Sequence, residues 1–161
     1  MRLFIAVELT EDLRKSLIGL MHDLKQAGVK GQYASAGNLH MTLAFIGETD
    51  RLPDIRKAVQ NVKFKPFKLT LSELGNFGEI VWIGAKGNQG LAELSRTVRE
   101  ALDAAGIPYD KKEFLPHITL IRRASGNYRQ VPAPKGSMMV KSISIMKSEV
   151  KDGKRVYTAV K

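Results

Sequence analysis

Hydrophobic and polar residues alternate along several segments of the chain, with the period of a β-strand. In residues 39–45, leucine, methionine and phenylalanine alternate with His40, Thr42 and Ala44. Because residues i and i+2 of a strand project from the same face, this segment is predicted to form a strand with one apolar and one polar face. Further strands are predicted over residues 2–8, 67–74, 80–83, 117–121, 138–146, 148–150 and 156–160.

Apolar residues recur every three or four positions in two longer segments, which is the period of an amphipathic helix. Thr10 is the predicted N-cap of the first helix and Gly28 its end, whereas Gly106 and Pro108 end the second. A third, shorter helix is predicted to open at Pro53. The predicted buried faces contain Leu13, Leu17, Leu20 and Leu24 in the first helix, Leu91, Leu94, Val98, Leu102 and Ala105 in the second, and Ile55, Val59 and Val62 in the third.

Turn residues separate the predicted strands. The sequence GNFG at residues 75–78 and the pair Asp152-Gly153 are predicted to form turns between antiparallel strands, and residues 127–135 are predicted to form a loop. Short turns of this kind, with helices between groups of strands, favour an α+β fold.

One short motif occurs twice. The sequence HMTL begins at His40 and HITL begins at His117, and almost half of the chain separates them. With seven threonines in the chain, a threonine two positions after a given histidine has a chance of only about 4%. Because each motif follows a predicted helix, the repeat predicts two pseudo-symmetric lobes of antiparallel sheet with helices on the outside. An active-site cleft is expected between the lobes, and residues 1–161 are expected to form a single bilobal domain.

The motif combines groups that suit chemistry at phosphorus. Each histidine shares a strand face with a threonine, so two such strands side by side present two imidazoles and two hydroxyls to one space. Imidazole titrates near neutral pH, so one ring can accept a proton while the other donates one. Hydroxyl groups can donate hydrogen bonds to the non-bridging oxygens of a phosphate. The residue types alone do not distinguish the acid from the base.

The composition narrows the class of protein. Lys and Arg total 26 against 16 Asp and Glu, and the formal charge of +10 attracts polyanions such as nucleic acid. The absence of cysteine excludes disulfides and thiol nucleophiles, and it is compatible with the cytoplasmic location that we expect. No apolar run is long enough to cross a bilayer, and the N-terminal segment is predicted to be a buried strand rather than a signal peptide. His22 lies off the apolar stripe of the first helix, so it is predicted to be exposed, and no zinc site is predicted.

Four segments resemble a known family of enzymes: RLFIAV at residues 2–7, NLHMTLAFIG at 38–47, VWIG at 81–84 and PHITLIR at 116–122. They are similar to the two-histidine phosphoesterases, specifically the RNA 2′,3′-cyclic phosphodiesterase branch of LigT-like proteins, also called 2′-5′ RNA ligases. The resemblance covers nearly the whole chain. It implies a bilobal fold with a basic cleft, no metal or cofactor, and RNA with a 2′,3′-cyclic phosphate end as the substrate.

The resemblance also implies a role for each motif residue. His40 would donate a proton to the departing 3′ oxygen, and His117 would accept one from the attacking water, leaving a 2′-phosphate. Thr42 and Thr119 would bind the phosphoryl oxygens, and Arg122 would hold negative charge beside them.

Tyr33 and Phe77 are aromatic candidates to stack against RNA bases. Many relatives have Arg-Trp shortly before the first motif, where this chain has Gln32-Tyr33. The difference leaves the phosphate chemistry intact but alters the expected contacts to base or ribose.

Two other functions use the same residues. The first is 2′-5′ RNA ligation, the same chemistry in reverse with a 5′-hydroxyl in place of water, although bulk water favours cleavage and the sequence has no Walker-type loop for ATP. The second is a non-catalytic RNA-binding module, which the positive charge permits but which requires no titrating histidines. We therefore expect a monomeric enzyme that hydrolyses RNA ends, requires no metal ion and does not bind a membrane.

Overall fold

The computed structural model describes residues 1–87 and 89–160 and has an α+β fold. Within these residues, three α-helices accompany nine strands, and two short 3₁₀ helices lie at Ala36–Asn38 and Tyr128–Gln130. In chain order the elements are β1 (Arg2–Glu8), α1 (Glu11–Gln26), β2 (Lys30–Tyr33), β3 (His40–Glu48), α2 (Leu52–Gln60), β4 (Phe67–Phe77), β5 (Ile80–Lys86), α3 (Gly90–Ala104), β6 (His117–Ser125), β7 (Ser137–Val140), β8 (Ser144–Lys151) and β9 (Lys154–Ala159).

The strands form two antiparallel sheets that share one hydrophobic core. The four-stranded sheet has the order β3-β1-β8-β9, and the five-stranded sheet has the order β2-β6-β5-β4-β7. Side chains from both sheets and all three helices join a single cluster of buried residues, because each element turns its apolar face towards the others. Members of this cluster include Leu3, Leu17, Leu43, Ile55, Ile83 and Leu94. The predicted α+β class with two antiparallel sheets is confirmed.

The two sheets repeat one arrangement of strand, helix and histidine strand. In the four-stranded sheet, β1 leads into α1, and β3 then pairs antiparallel with β1. In the five-stranded sheet, β5 leads into α3, and β6 then pairs antiparallel with β5. Each histidine motif therefore lies on the strand next to the one that precedes the helix.

Local sequence signals explain the helix boundaries. The Thr10 hydroxyl accepts the Leu13 backbone N–H at 3.4 Å, and Glu11 and Asp12 lie in the first turn of α1, where the helix dipole favours acidic groups. The predicted leucine stripes of α1 and α3 are buried. In the part of the chain that is described, no helix combines the length and apolar character that crossing a bilayer would require.

The predicted turn at residues 75–78 is wrong. Strand β4 continues through Phe77, and the turn to β5 occupies only Gly78 and Glu79. Gly75 lies within the strand because it pairs with Trp82, whose ring covers the position that a Cβ atom at residue 75 would fill. A glycine inside a strand here marks a close approach rather than a turn.

Four further predictions of local structure differ from the observed elements. Residues 138–146 form no continuous strand, since β7 ends at Val140 and β8 begins at Ser144, and the two belong to different sheets. The predicted loop at 127–135 contains a 3₁₀ helix, and the last strand begins at Lys154, before the predicted position 156. Strand β2 was missed because its residues KGQY are mostly exposed and lack alternation of apolar residues. The predicted hairpin turn at Asp152-Gly153 is confirmed.

Candidate active site

The fold brings the two histidine motifs to the boundary between the sheets. β3 is the edge strand of the four-stranded sheet, and it contacts β6 of the five-stranded sheet. His40 is the first residue of β3 and His117 the first residue of β6. Two segments that are remote in the sequence thus lie on strands that contact each other.

Both imidazoles are held by the same local hydrogen bond. Nδ1 of His40 lies 2.7 Å from the carbonyl oxygen of Asn38, and Nδ1 of His117 lies 2.5 Å from that of Leu115. A carbonyl oxygen only accepts hydrogen bonds, so Nδ1 carries the proton in each ring. Nε2 is then the nitrogen that exchanges a proton, and each ring can act as a base when neutral or as an acid when charged.

The expected pairing of histidine and threonine is present in the first motif. Nε2 of His40 lies 2.9 Å from the hydroxyl oxygen of Thr42. The hydroxyl donates to the neutral ring and accepts from the protonated one. In the second motif Thr119 is half-buried, two positions after His117, and it pairs with Trp82 of β5.

The pKa of His40 is lowered from its ordinary value of 6.5. Burial is the main cause, because removing the ring from water disfavours the charged form. The hydrogen bond to the Asn38 carbonyl opposes this shift, whereas the positive charges of His117 and Arg122 add to it. Both groups, from strand β6, therefore act electrostatically on the His40 ring of β3.

Arg122 lies on the same face of β6 as His117 because β6 contains a bulge. Trp82 of β5 pairs with Thr119 and the preceding Val81 pairs with Ile121, so Leu120 has no partner. An extra residue in one strand shifts the alternation of faces, so two consecutive side chains are buried and the next one, Arg122, returns to the side of His117. Without the bulge, simple alternation would point Arg122 into the core.

The first motif contains the same bulge. Ala6 pairs with Thr42 and Ile5 pairs with Ala44, which leaves Leu43 unpaired. Leu43 and Ala44 are both buried, and the half-buried Phe45 follows them. Phe45 therefore occupies the position in β3 that Arg122 occupies in β6, five residues after the histidine in each case.

Aromatic rings flank each histidine. The His40 ring centroid lies 4.7 Å from that of Phe4 and 5.1 Å from that of Tyr157. The His117 centroid lies 5.2 Å from that of Phe77 and 6.0 Å from that of Trp82. Of these four rings, sequence reasoning selected only Phe77.

The structure brings Phe77, but not Tyr33, into contact with a histidine. Phe77 is 40% exposed and meets His117 edge-on, beside Trp82. The Tyr33 hydroxyl donates to the Val29 carbonyl at 2.6 Å, and the Lys25 ammonium lies 4.7 Å from the ring centroid. Burial raises the pKa of the Tyr33 hydroxyl. Tyr33 thus contacts Lys25 near the end of α1 and Val29 just before β2.

Sequence reasoning gave no role to Asn38 or Trp82, although both shape the site. Asn38 supplies the carbonyl that holds His40, and its side chain binds β9. No local pattern marks this residue, since β9 is remote in the sequence. For Trp82 a signal existed: it is the only tryptophan of the chain, in a strand predicted to return from the segment that contains Gly75.

No group of three or more His, Asp or Glu side chains is positioned to hold a metal ion anywhere in residues 1–87 and 89–160.

Two antiparallel sheets that each carry a His-x-Thr motif, with Nδ1 of each histidine held by a backbone carbonyl, are the arrangement expected of a two-histidine phosphoesterase. Comparison with known families agrees, because the sequence profile of the 2′-5′ RNA ligase superfamily matches residues 11–151. The chain belongs to this family.

Several relatives are similar over most of their length. The chain is 35% identical over 130 residues to an RNA 2′,3′-cyclic phosphodiesterase of Archaeoglobus fulgidus, covering 76% of this chain and 72% of the relative. It is 30% identical over 169 residues to the RNA 2′,3′-cyclic phosphodiesterase of Escherichia coli, covering 99% and 94%. The crystal structure of E. coli LigT in apo form superposes with a TM-score of 0.84 at 29% identity, covering 99% and 94%. The structure of LigT complexed with 3′-AMP gives a TM-score of 0.81 at the same identity and coverage.

Proposed function

We propose that this chain hydrolyses 2′,3′-cyclic phosphate ends of RNA to 2′-phosphomonoester ends. The observation that carries the proposal is the matched pair of imidazoles, His40 and His117, each with Nδ1 fixed by a carbonyl and Nε2 left for proton transfer. The names of the A. fulgidus and E. coli relatives indicate the same substrate.

In the proposed reaction, His117 accepts a proton from water as the water oxygen forms a bond to phosphorus. The bond between phosphorus and the 3′ oxygen breaks, and His40 donates its proton to that oxygen. One water molecule is consumed, and the two histidines exchange their protonation states. Acid–base catalysis of this kind contributes about 10²–10⁴ in rate.

Thr42, Thr119 and Arg122 are proposed to bind the non-bridging oxygens. The charge of Arg122 compensates the charge of the phosphoryl group. The pKa of His40 is lowered in the free protein, but a bound anionic phosphate favours imidazolium and raises it again. Substrate binding therefore favours the protonated form of His40, which is the proposed proton donor.

The RNA strand next to the reacting phosphate is proposed to stack a base on Phe77, whose ring is exposed beside His117. Tyr33 remains a second proposed aromatic contact. We also propose that residues 1–161 work as a single domain, since one core joins both sheets among the described residues, and that this domain acts as a monomer. Asn88 and Lys161 lie outside the described residues.

Turnover of adenosine 2′,3′-cyclic phosphate in excess EDTA tests the proposal. We expect a bell-shaped pH dependence, and phosphorus NMR should identify a 2′-phosphate as the product. Replacing His40 or His117 with alanine should lower kcat by about 10²–10⁴. His22→Ala is the matched control, because His22 is exposed on α1 and outside the site.

The same experiment separates the alternatives. RNA binding without turnover by the wild-type protein would support a binding module and overturn the hydrolase. The family name raises RNA ligation as a second function, in which a 5′-hydroxyl replaces water. Joined product that forms from a 2′,3′-cyclic phosphate end and a 5′-hydroxyl end at a rate comparable with hydrolysis would be required for that function.

A further inference from the structure

Two arginines lie on the face of the four-stranded sheet that carries His40. Arg2, Phe4 and Ala6 alternate with buried core residues along β1, so they share one face. Phe4 contacts the His40 ring, which identifies this face as the one that borders the active site. Arg2 is exposed on it, two residues from Phe4 and therefore about 7 Å away along the strand.

Arg155 approaches the same position from β9. Ser148 of β8 pairs with Arg2 on one side and with Tyr157 on the other. The Arg155 guanidinium donates a hydrogen bond to the Ser148 hydroxyl at 3.1 Å. The cross-strand neighbour of Arg2 is thus also the hydrogen-bond partner of Arg155, so both arginines belong to one face of the four-stranded sheet.

The surroundings hold the Arg2 side chain in place but do not neutralise it. Its guanidinium carbon lies 5.0 Å from the centroid of Phe45, the residue that the β3 bulge turns to the cleft side. Among the residues that the structure describes, neither Arg2 nor Arg155 has a carboxylate within ion-pair distance, whereas Lys147 on the same strand as Ser148 pairs with Glu149 at 3.0 Å. Glu48 lies opposite Arg2 in β3 but pairs with the N-terminal ammonium of Met1 at 3.4 Å. Among the described residues, two guanidinium groups on this face therefore lack an ion-pair partner, and such groups favour a bound anion.

We infer that Arg2 and Arg155 bind a backbone phosphate of the RNA, on the 5′ side of the terminal nucleotide. The inference rests on the proposed function. A cyclic phosphate closes the 3′ end of a strand, so the nearest other phosphate of that strand is the one at the 5′ oxygen of the same nucleotide. The arginine pair would make the enzyme prefer an RNA strand over a mononucleotide, without contact to the reacting atoms.

Three substrates measure this preference: adenosine 2′,3′-cyclic phosphate, the same compound with a 5′-phosphate, and the dinucleotide ApA with a 2′,3′-cyclic phosphate. The readout is the ratio of kcat/KM for each phosphorylated substrate to that for the first. We expect the double variant R2A/R155A to lower the dinucleotide ratio about tenfold, the effect of one lost charge-assisted hydrogen bond. A fall confined to the 5′-phosphate substrate would indicate a terminal-phosphate site and overturn the inference of a phosphodiester site.

Two controls make the experiment specific. Arg96→Ala removes an exposed arginine that pairs with Glu100 on α3, and its ratio should stay at the wild-type value. The variant R2K/R155K keeps both charges without the guanidinium forks, so it should retain part of the dinucleotide ratio. It takes the place of R2A/R155A if the double alanine variant fails to fold. An unchanged dinucleotide ratio in R2A/R155A, or an equal fall in Arg96→Ala, would overturn the inference.

Binding measurements separate this inference from the hydrolase itself. The dissociation constant of a dinucleotide ending in a 2′-phosphate should depend on salt, and the slope of log K against log salt should decrease by about 0.7 for each lost phosphate contact in R2A/R155A. This readout needs no turnover. Absence of turnover by the wild-type protein would therefore refute the proposed function, and an unaltered salt slope would refute the arginine site.

Discussion

The Asn38 side-chain oxygen accepts the backbone N–H of Tyr157 at 3.1 Å, which fastens the segment before the first motif to the last strand. The Asn38 side-chain nitrogen donates to the Arg155 carbonyl at 2.8 Å, while the Asn38 backbone carbonyl holds Nδ1 of His40. One residue therefore positions the His40 ring and the aromatic ring of Tyr157 that flanks it.

Asn38→Ala tests this positioning role. The substitution removes two hydrogen bonds to β9, so the free energy of unfolding should fall by about 1–3 kcal/mol. Because the carbonyl that orients His40 loses its anchor, kcat should fall about 10- to 100-fold. Asn61→Ala at the exposed end of α2 is the control. Lower stability with an unaltered kcat and pH profile would show that Asn38 only stabilises the fold.

Gly75→Ala should disturb the second histidine through its aromatic support. A Cβ atom at residue 75 would collide with the Trp82 ring, which packs with Phe77 beside His117. We expect a loss of about 1–3 kcal/mol in the free energy of unfolding, together with a lower kcat. Trp82 is the only tryptophan, so its fluorescence reports the displacement directly.

Gly19→Ala is the matched control for Gly75→Ala. Gly19 lies inside α1, and a Cβ atom there meets nothing within 4 Å. Alanine should stabilise the helix by about 0.5–1 kcal/mol. If the free energy of unfolding falls in Gly75→Ala and rises in Gly19→Ala, the loss in Gly75→Ala is due to the Trp82 contact. Equal changes in the two variants would contradict this explanation.

Arg122→Gln should raise the pKa of His40. The positive charge of Arg122 is one of the causes that lower this pKa, so its removal favours imidazolium. Proton NMR titration of the His40 ring measures the shift directly. At the same time kcat/KM should decrease, because the phosphoryl group loses a cation. A His40 pKa that does not move would place Arg122 too far away to act on the site.

Burial of His40 also predicts a pH dependence of stability. The folded-state pKa lies below the ordinary value of 6.5, so the unfolded chain binds more protons in the window between the two values. The contribution of His40 to stability is therefore complete above the unfolded pKa and decreases as the pH falls through this window. Urea unfolding at about pH 7.5 and about pH 5 should show a smaller difference in His40→Gln than in the wild type. His22→Gln should retain the wild-type difference.

Phe77→Ala should weaken nucleotide binding through the base. Stacking on an aromatic ring contributes about 1–3 kcal/mol per base, so the affinity for adenosine 2′-phosphate should fall more than that for ribose 2-phosphate, which has no base. Met139→Ala, at an exposed hydrophobic position on β7, is the control. Tyr33→Ala should reduce stability more than base affinity, since its hydroxyl already binds Val29. Equal losses for both ligands in Phe77→Ala would exclude a stacking role.

Local patterns in the sequence determined the elements and the reacting groups. The leucine stripes of α1 and α3 follow from helical periodicity, and Thr10 marks the start of α1 through a hydrogen bond to a residue three positions away. His40 and Thr42 share a strand face for the same local reason. These features depend on residues that are close in the chain, which is why periodicity and spacing predict them.

Long-range pairing decided what the sequence could not. The bulges at Leu43 and Leu120 arise from register with β1 and β5, and only this register turns Arg122 to the face of His117 rather than into the core. Gly75 belongs to a strand because a ring from the facing strand lies over it, although its local sequence is that of a turn.

The surroundings of each histidine were likewise fixed only by the tertiary structure. Asn38 and Tyr157 are separated by most of the chain, and Phe4 contacts His40 from the neighbouring strand β1. The sequence by itself therefore determined which groups can transfer protons, because chemistry resides in the side chains. Their distance, burial and orientation were decided by the packing of two sheets around one core, because those quantities depend on contacts that no local pattern encodes.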